Sequence, residues 1–266
     1  MRIDRVPYTE VQKYLKKNDT VLIPLGSCEQ QGPHLPMGIE TVIVESVATE
    51  VGRKTGFAVA PPMPVNYAKL FLDYPGALSV ELNTYNSYIA DLAAGLAHQG
   101  FKHLFFVNIH FGSLPAIESA ARTLRAKYGD VYTAHCDCFQ QMQEAAVPVS
   151  TDNFPYGHGS ERTTSMALHL CPDLVQMNKV KVWKPKPLDQ GFHVVGAARA
   201  RFGKSSFGLY INQADYNPDG GTGDPRGATE EKGKKIFAHV VNSVSEAATA
   251  FSKLQLGKSK GKKSSK

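Results

Sequence analysis

The chain is poor in the features that would mark a secreted or membrane-bound protein. It has four cysteines in 266 residues and no pairing framework in their spacing, which argues against a small scaffold held by disulfides. No apolar run approaches the roughly twenty residues that a membrane helix needs. The N-terminal segment lacks the layout of a signal peptide. No internal repeat and no linker divides the chain. These absences predict a cytoplasmic protein with one large domain over 1–256, for which 42% apolar residues can fill a core. Acids are missing altogether from 257–266, GKSKGKKSSK, whose five lysines supply most of the formal net charge of +6. That Lys-rich tail is expected to be disordered, and a solvated tail is preferred to one that binds nucleic acid or an anionic surface.

Within the body, strand-like apolar runs at 21–25, 57–60, 104–107 and 131–134 alternate with helical periodicity at 45–55, 83–98 and 115–127, the last opening after Pro115. Such alternation predicts an α/β fold with a mostly parallel sheet. In the second helix Tyr88, Leu92 and Leu96 are expected to share the buried face. A final helix over about 228–251 closes the domain. Residues 179–225, rich in Gly, Pro, Lys and aromatics, are expected to form long loops over a pocket or a subunit contact, with Trp183 as a packing anchor.

Three polar clusters follow apolar runs. The densest is LGSCEQQGPHLPMGIET, residues 25–41, which places Glu29, Gln31, His34 and Glu40 on the expected loop after the first strand. The second is HLFFVNIHFGS, 103–113, in which His110 lies just past a strand end. The third is YGHGSERTTSMAL, 156–168, with His158 in a glycine-rich loop, Ser160 as an expected N-cap, and Glu161 in the first helical turn. Open α/β sheets carry their sites at strand C-termini. Carboxylates and imidazoles there suit a hard or borderline divalent cation. Cys28 beside Glu29 lacks a paired base, and Cys136 and Cys138 lack the spacing of a structural zinc site. His98, His103, His135, His169, His193 and His239 have no ligand spacing.

These clusters carry a family resemblance. Residues 24–41 resemble the creatininase (creatinine amidohydrolase) signature, 107–113 is similar to that family's Val-Asn-Gly-His-Gly-Gly-Asn, and 158–165 resembles its His-Ala-Gly-Glu-x-Glu-Thr-Ser. Echoes continue in order at 74–85 (YPGALSVELNTY), 171–175 (CPDLV) and 221–233 (GTGDPRGATEEKG). The resemblance implies a three-layer α/β/α hydrolase with divalent metals at the C-terminal edge of its sheet, assembled as a homo-oligomer, usually a hexamer. It assigns Glu29, Glu40 and His110 to the first metal, zinc or manganese with iron as a further fit. Its second-metal positions hold Gln31, Gly112 and Thr163 here, which implies one tightly bound cation per subunit, or a second held by other groups such as Glu161. His34 matches a signature position without being a ligand, which implies a loop-fixing role.

The expected chemistry is metal-assisted hydrolysis of a small, polar, cyclic substrate, opening a C–N amide bond by a metal-activated water. His158 is the expected proton shuttle. Glu161 is the expected partner that holds its tautomer or binds a metal. Two other readings stay open: hydrolysis of a cyclic ketone in sugar or cyclitol breakdown, and a non-catalytic descendant that binds a metabolite or scaffolds an assembly.

Overall fold

The protein is described by a computed structural model covering residues 1–151, 157–184, 186–196 and 198–256. The expectation for the tail at 257–266 lies outside these residues. The chain opens with helix α1 (Tyr8–Leu15), then strand β1 (Thr20–Leu25), helix α2 (Ile39–Thr55) and strand β2 (Ala58–Val59). Next come α3 (Leu82–Gln99), β3 (His103–Asn108), α4 (Leu114–Tyr128), β4 (Tyr132–Asp137) and α5 (Cys138–Ala146). Helix α6 (Glu161–Leu170) and the C-terminal α7 (Glu230–Phe251) complete this part.

The four strands form a parallel sheet in the order β2-β1-β3-β4. Every residue of β1 and of β3 is buried, as expected for central strands covered on both faces. Alternate side chains feed two cores. Leu22, Val59, Phe105 and Val107 pack with α2, α5, α6 and α7. Val21, Ile23, Leu104 and Phe106 pack with α3 and α4 on the other face. The result is the expected three-layer α/β/α arrangement.

Local chemistry sets the helix boundaries. Pro115 sits in the first turn of α4, where a missing N–H costs nothing. Asp137 caps α5 by accepting from the N–H groups of Phe139 and Gln140, and Thr229 caps α7 through Lys232 N–H. Ser160 is the N-cap residue of α6, but its side chain makes no capping bond. The buried stripe of α3 is Tyr85, Ile89, Ala93 and Leu96, whereas Tyr88 is 49% exposed. The expected face was off by about one helical step, because Leu96 fits both stripes and Tyr85 stands at the helix start.

Residues 179–225 depart from the expectation of loops. Strands β5 (His193–Gly196), β6 (Arg199–Phe202) and β7 (Ser205–Gly208) form a separate antiparallel sheet. At four residues each, they are too short for period-two alternation to stand out. Phe192 packs on Phe202 at a centroid distance of 4.9 Å. Trp183 lies against Tyr216 and pairs through its backbone with Gly223, which fits an anchor.

Candidate metal centre and active site

Strands β1 and β3 are parallel neighbours with Leu25 opposite Asn108, so their C-terminal loops leave side by side. The chain turns to opposite sides of the sheet from this pair, the position where open α/β folds place ligands. Gly26 allows the first loop to cross the start of α2. A Cβ there would stand 2.5 Å from the Thr41 Cα, and Thr41 Oγ1 then ties the crossing by donating to the Ser27 carbonyl at 3.0 Å. The expectation put Glu40 on a loop. It occupies the first turn of α2 instead, and the close approach turns its carboxylate toward Glu29.

Glu29, Glu40 and His110 converge. His110 Nδ1 lies 3.1 Å from Glu29 Oε2 and 3.4 Å from Glu40 Oε2. His158 Nε2 approaches the other Glu29 oxygen, Oε1, at 3.2 Å. One ligand atom from each of Glu29, Glu40 and His158 lies within 4.8 Å of the others. Three of the four side chains are almost wholly buried, and His158 keeps 15% exposure. Supporting contacts fix the donors. Ser27 Oγ donates to Glu40 Oε2 at 2.6 Å, and Gln31 Nε2 donates to Glu40 Oε1 at 2.8 Å. Gln31 Oε1 accepts from Gly159 N–H at 2.9 Å. His110 Nε2 faces the Tyr67 carbonyl oxygen at 3.0 Å, and Asn108 donates to the His110 carbonyl.

The electrostatics of this group are those of a cation site. Burial raises the Glu29 carboxyl above the usual range, with His110 opposing. Burial would also raise Glu40, but the hydrogen bond and charge of His110, then His158 and the Ser27 hydroxyl, hold it below its ordinary value. Burial alone would depress His110, and the two carboxylates outweigh it and lift it well above the imidazole range. Because the Tyr67 carbonyl can only accept, Nε2 keeps its proton, and it is Nδ1, facing the two carboxylates, that would give up the second proton and offer a lone pair to a cation. Among the described residues the groups that face the Glu29 oxygens are the imidazoles of His110 and His158, and no backbone or hydroxyl donor is bonded to either oxygen. Two buried carboxylates converging on one histidine need positive charge between them, which a protonated His110 or a divalent cation would supply.

The other expected residues fall as follows. His34 is buried, and its Nε2 lies 2.8 Å from Thr164 Oγ1, a contact that joins the signature loop to α6. Glu161 requires a correction. One of its oxygens pairs with Lys232 Nζ at 2.5 Å, and the other accepts from Ser150 Oγ, Thr151 N and Thr151 Oγ1. Its carboxylate is thus engaged by an ammonium and hydroxyls, and it is Gln30, at 2.8 Å, that meets His158 Nδ1. The Cys28 thiol is raised by burial and then by Glu29, which disfavours a thiolate. The Cys136 and Cys138 sulfurs lie 3.8 Å apart, and both side chains pack in the apolar core. Gln30, Ser27, the Tyr67 carbonyl and Phe71, whose ring lies 4.6 Å from that of His158, escaped the sequence reading. Ser27 and Gln30 stood in the quoted motif, while the Tyr67 carbonyl and Phe71 had no local signal.

The parallel sheet with carboxylates and imidazoles at its C-terminal edge defines a metal-dependent hydrolase. The creatinine amidohydrolase family model matches residues 4–248, and the chain belongs to that family. It is similar to a mycofactocin precursor peptide peptidase from Mycobacterium ulcerans, 28% identical over 232 residues, covering 84% of this chain and 82% of the relative. A 3-dehydro-scyllo-inosose hydrolase from Thermotoga maritima is 29% identical over 185 residues, covering 66% and 58%. A creatinine amidohydrolase from Pseudomonas putida is 25% identical over 194 residues, covering 67% and 75%. A crystal structure of creatinine amidohydrolase shares the fold with a TM-score of 0.79 at 22% identity, over 96% of this chain and 98% of that one. Related solved structures include a manganese and a zinc form of creatininase.

Proposed function

We propose that the protein opens the C–N amide bond of a small, polar, cyclic substrate with one tightly held divalent cation, zinc or manganese, bound by Glu29, Glu40 and His110. The observation that carries this reading is the Glu29 carboxylate. It is fully buried, and an imidazole nitrogen faces each of its oxygens, His110 Nδ1 at 3.1 Å and His158 Nε2 at 3.2 Å. When bound, the cation supplies a water of lowered pKa and polarises the carbonyl under attack.

The chain's own residues do the remaining work. Ser27 and Gln31 hold the Glu40 carboxylate, and the Tyr67 carbonyl holds the His110 ring. Water oxygen joins the carbonyl carbon, the C–N bond breaks, and the nitrogen leaves with a proton that the water gave up. His158 reaches the reacting group through Nε2, and the partner of its other nitrogen decides whether that atom accepts a proton or donates a hydrogen bond. Phe71, 5% exposed, covers the ring of His158 and restricts water there.

Gln31 supports a single cation. Its N–H already occupies a Glu40 oxygen that a second cation would need. An amide bond is favoured over other bonds because the similar proteins include a peptidase and an amidohydrolase by name. The Thermotoga maritima inosose hydrolase motivates a second reading, hydrolysis of a cyclic ketone. The chain is further proposed to act as a closed homo-oligomer, a hexamer, with the small sheet as contact surface, since Phe202 and Phe207 are about half exposed there and Tyr210 is 88% exposed.

The test combines elemental analysis after extensive dialysis with turnover on cyclic amides, short peptides and cyclic ketones. One cation per chain and turnover of amides is expected. Two tight cations, or none, would sink the single-cation site. Turnover of cyclic ketones alone would replace the amide reading by the second one.

A further inference from the structure

Gln30 is the side chain that meets His158 on the far side from Glu29. Its Oε1 accepts from the Gly32 N–H at 2.9 Å, and its Nε2 lies 2.8 Å from His158 Nδ1. The two contacts are linked. Turning the amide over would set its NH2 against the Gly32 N–H, donor against donor, so the backbone of residue 32 fixes which end faces the histidine. Gly220 closes that side of the amide, where a Cβ would collide with Gln30 Oε1. The histidine's own backbone is held as well, since its carbonyl accepts from Thr222 N–H at 2.7 Å.

An amide NH2 can only donate, so His158 Nδ1 must accept. The proton of the neutral ring then resides on Nε2, the nitrogen 3.2 Å from Glu29 Oε1. We infer that Gln30 is a positioning residue that holds His158 as a neutral hydrogen-bond donor, aimed through Nε2–H at the oxygen that gains charge in the reaction. The inference rests on the proposed hydrolytic site and changes the role expected of His158. An Nε2 that already bears the proton of a neutral ring cannot take one from water. It stabilises developing negative charge instead, a role in which one donor is worth roughly 10²- to 10³-fold in rate. The same tautomer separates the two histidines of the site. His110 can give up its Nδ1 proton and offer a lone pair to a cation, whereas His158 offers an N–H and does not. Its proximity to Glu29 and Glu40 is therefore that of a donor rather than of a ligand.

The experiment is nitrogen NMR of the full chain labelled with ¹⁵N-histidine, with and without Zn²⁺ alone, the His158 signals being assigned by their loss in His158→Gln. In wild type the His158 Nε2 should resonate as a protonated ring nitrogen and Nδ1 as an unprotonated one. Gln30→Glu presents an acceptor in place of the donor, so the two resonances should exchange places and Nε2 should become a ligand for zinc. Gln30→Met, which keeps the bulk and removes the donor, should give a mixture of the two tautomers and keeps the inference testable if the glutamate variant does not fold. A wild-type proton on Nδ1, a wild-type Nε2 bound to zinc, or a Gln30→Met spectrum identical to wild type would overturn the inference. The zinc-free spectrum keeps this result separate from the single-cation proposal, because a chain without tight metal still reports its tautomer.

Discussion

Replacing Gly112 by alanine should damage the site more than the loss of one hydrogen atom suggests. A Cβ at this position would fall inside van der Waals contact of the Tyr67 carbonyl oxygen and 2.6 Å from His110 Nε2. The carbonyl is backbone and cannot swing away, so the Tyr67–His110 contact at 3.0 Å must open. Overpacking of this kind costs about 1–3 kcal/mol. Leaving the buried His110 N–H and its acceptor unpaired adds about 1–3 kcal/mol. The sum of about 2–6 kcal/mol corresponds, for a chain of this size, to a fall in Tm on the order of 10 °C. Because the lost partner orients a proposed ligand, cation affinity should fall by roughly 10- to 100-fold. Thermal unfolding with excess and with chelated zinc, together with a competition titration of cation affinity, reads both effects. Unchanged Tm and affinity in Gly112→Ala would refute the packing argument. Gly112→Asp, which puts an acid at the position that the family resemblance assigns to the second metal, should fail in the same way, and a variant holding two tight cations would refute the single-cation reading.

Other outcomes can be stated briefly. His110→Ala should lose both cation and turnover, whereas His158→Ala should keep the cation while the rate falls by roughly 10²- to 10³-fold; loss of the cation from the second variant, measured by elemental analysis, would make His158 a ligand. Lys232→Met leaves Glu161 buried without its ammonium and should cost about 3 kcal/mol in urea unfolding, with cation content unchanged; an intact fold with turnover reduced ten-thousandfold in Glu161→Gln would restore a catalytic role to that residue. Burial holds His34 at about 4, below its ordinary 6.5, so the unfolded chain binds the extra proton between these values. Stability should therefore be complete above pH 6.5 and decline as pH falls toward 4, by up to about 3 kcal/mol, and His34→Gln should flatten that part of a denaturation profile against pH. A chain ending at Leu256 should assemble with the same number of subunits, by light scattering, as the full chain.

Much of the fold was legible because central parallel strands are unbroken apolar runs between helical patterns. Each expected strand had its observed counterpart, and the helices at 45–55 and 115–127 were short only at their ends. What failed had physical causes. Helix α1 spans only eight residues, and its apolar face, Val11, Tyr14 and Leu15, is only partly buried against the core. Helix α5 follows β4 directly, and its Asp137 cap lies inside what reads as strand. The small antiparallel sheet is made of four-residue strands whose pairing depends on contacts distant from any one segment. In the site, the convergence of Glu29, Glu40 and His110 could be anticipated because each lies a few residues past a strand end or at the helix start that follows. The partner of His158 could not. Glu161 is adjacent in sequence and of suitable type, but Lys232, from the far end of the chain, claims its carboxylate, and Gln30 from the first loop takes the place.

The positions that depart from the family pattern are coupled through the groups they touch. Read one at a time, Gln31, Gly112 and Thr163 are lost ligands. In the folded chain Gln31 bridges Glu40 and the Gly159 N–H, tying the β1 loop to the start of α6, and Gly112 admits the Tyr67 carbonyl that holds His110. Gln31 stands where the family has an imidazole and Gly112 where creatininase has an acid, and both support a proposed ligand of the first site. Thr163 differs, since its buried hydroxyl has no hydrogen-bond partner among the described residues and nothing in the structure explains it. Gln31→His alone would therefore remove the bridge to Gly159 without supplying the remaining ligands. Two buried groups would be left unpaired at about 1–3 kcal/mol each, and the variant should be less stable than wild type while still binding one cation. A Gln31→His protein of wild-type stability with a second tight cation would show that the amide is a passive replacement rather than part of the framework.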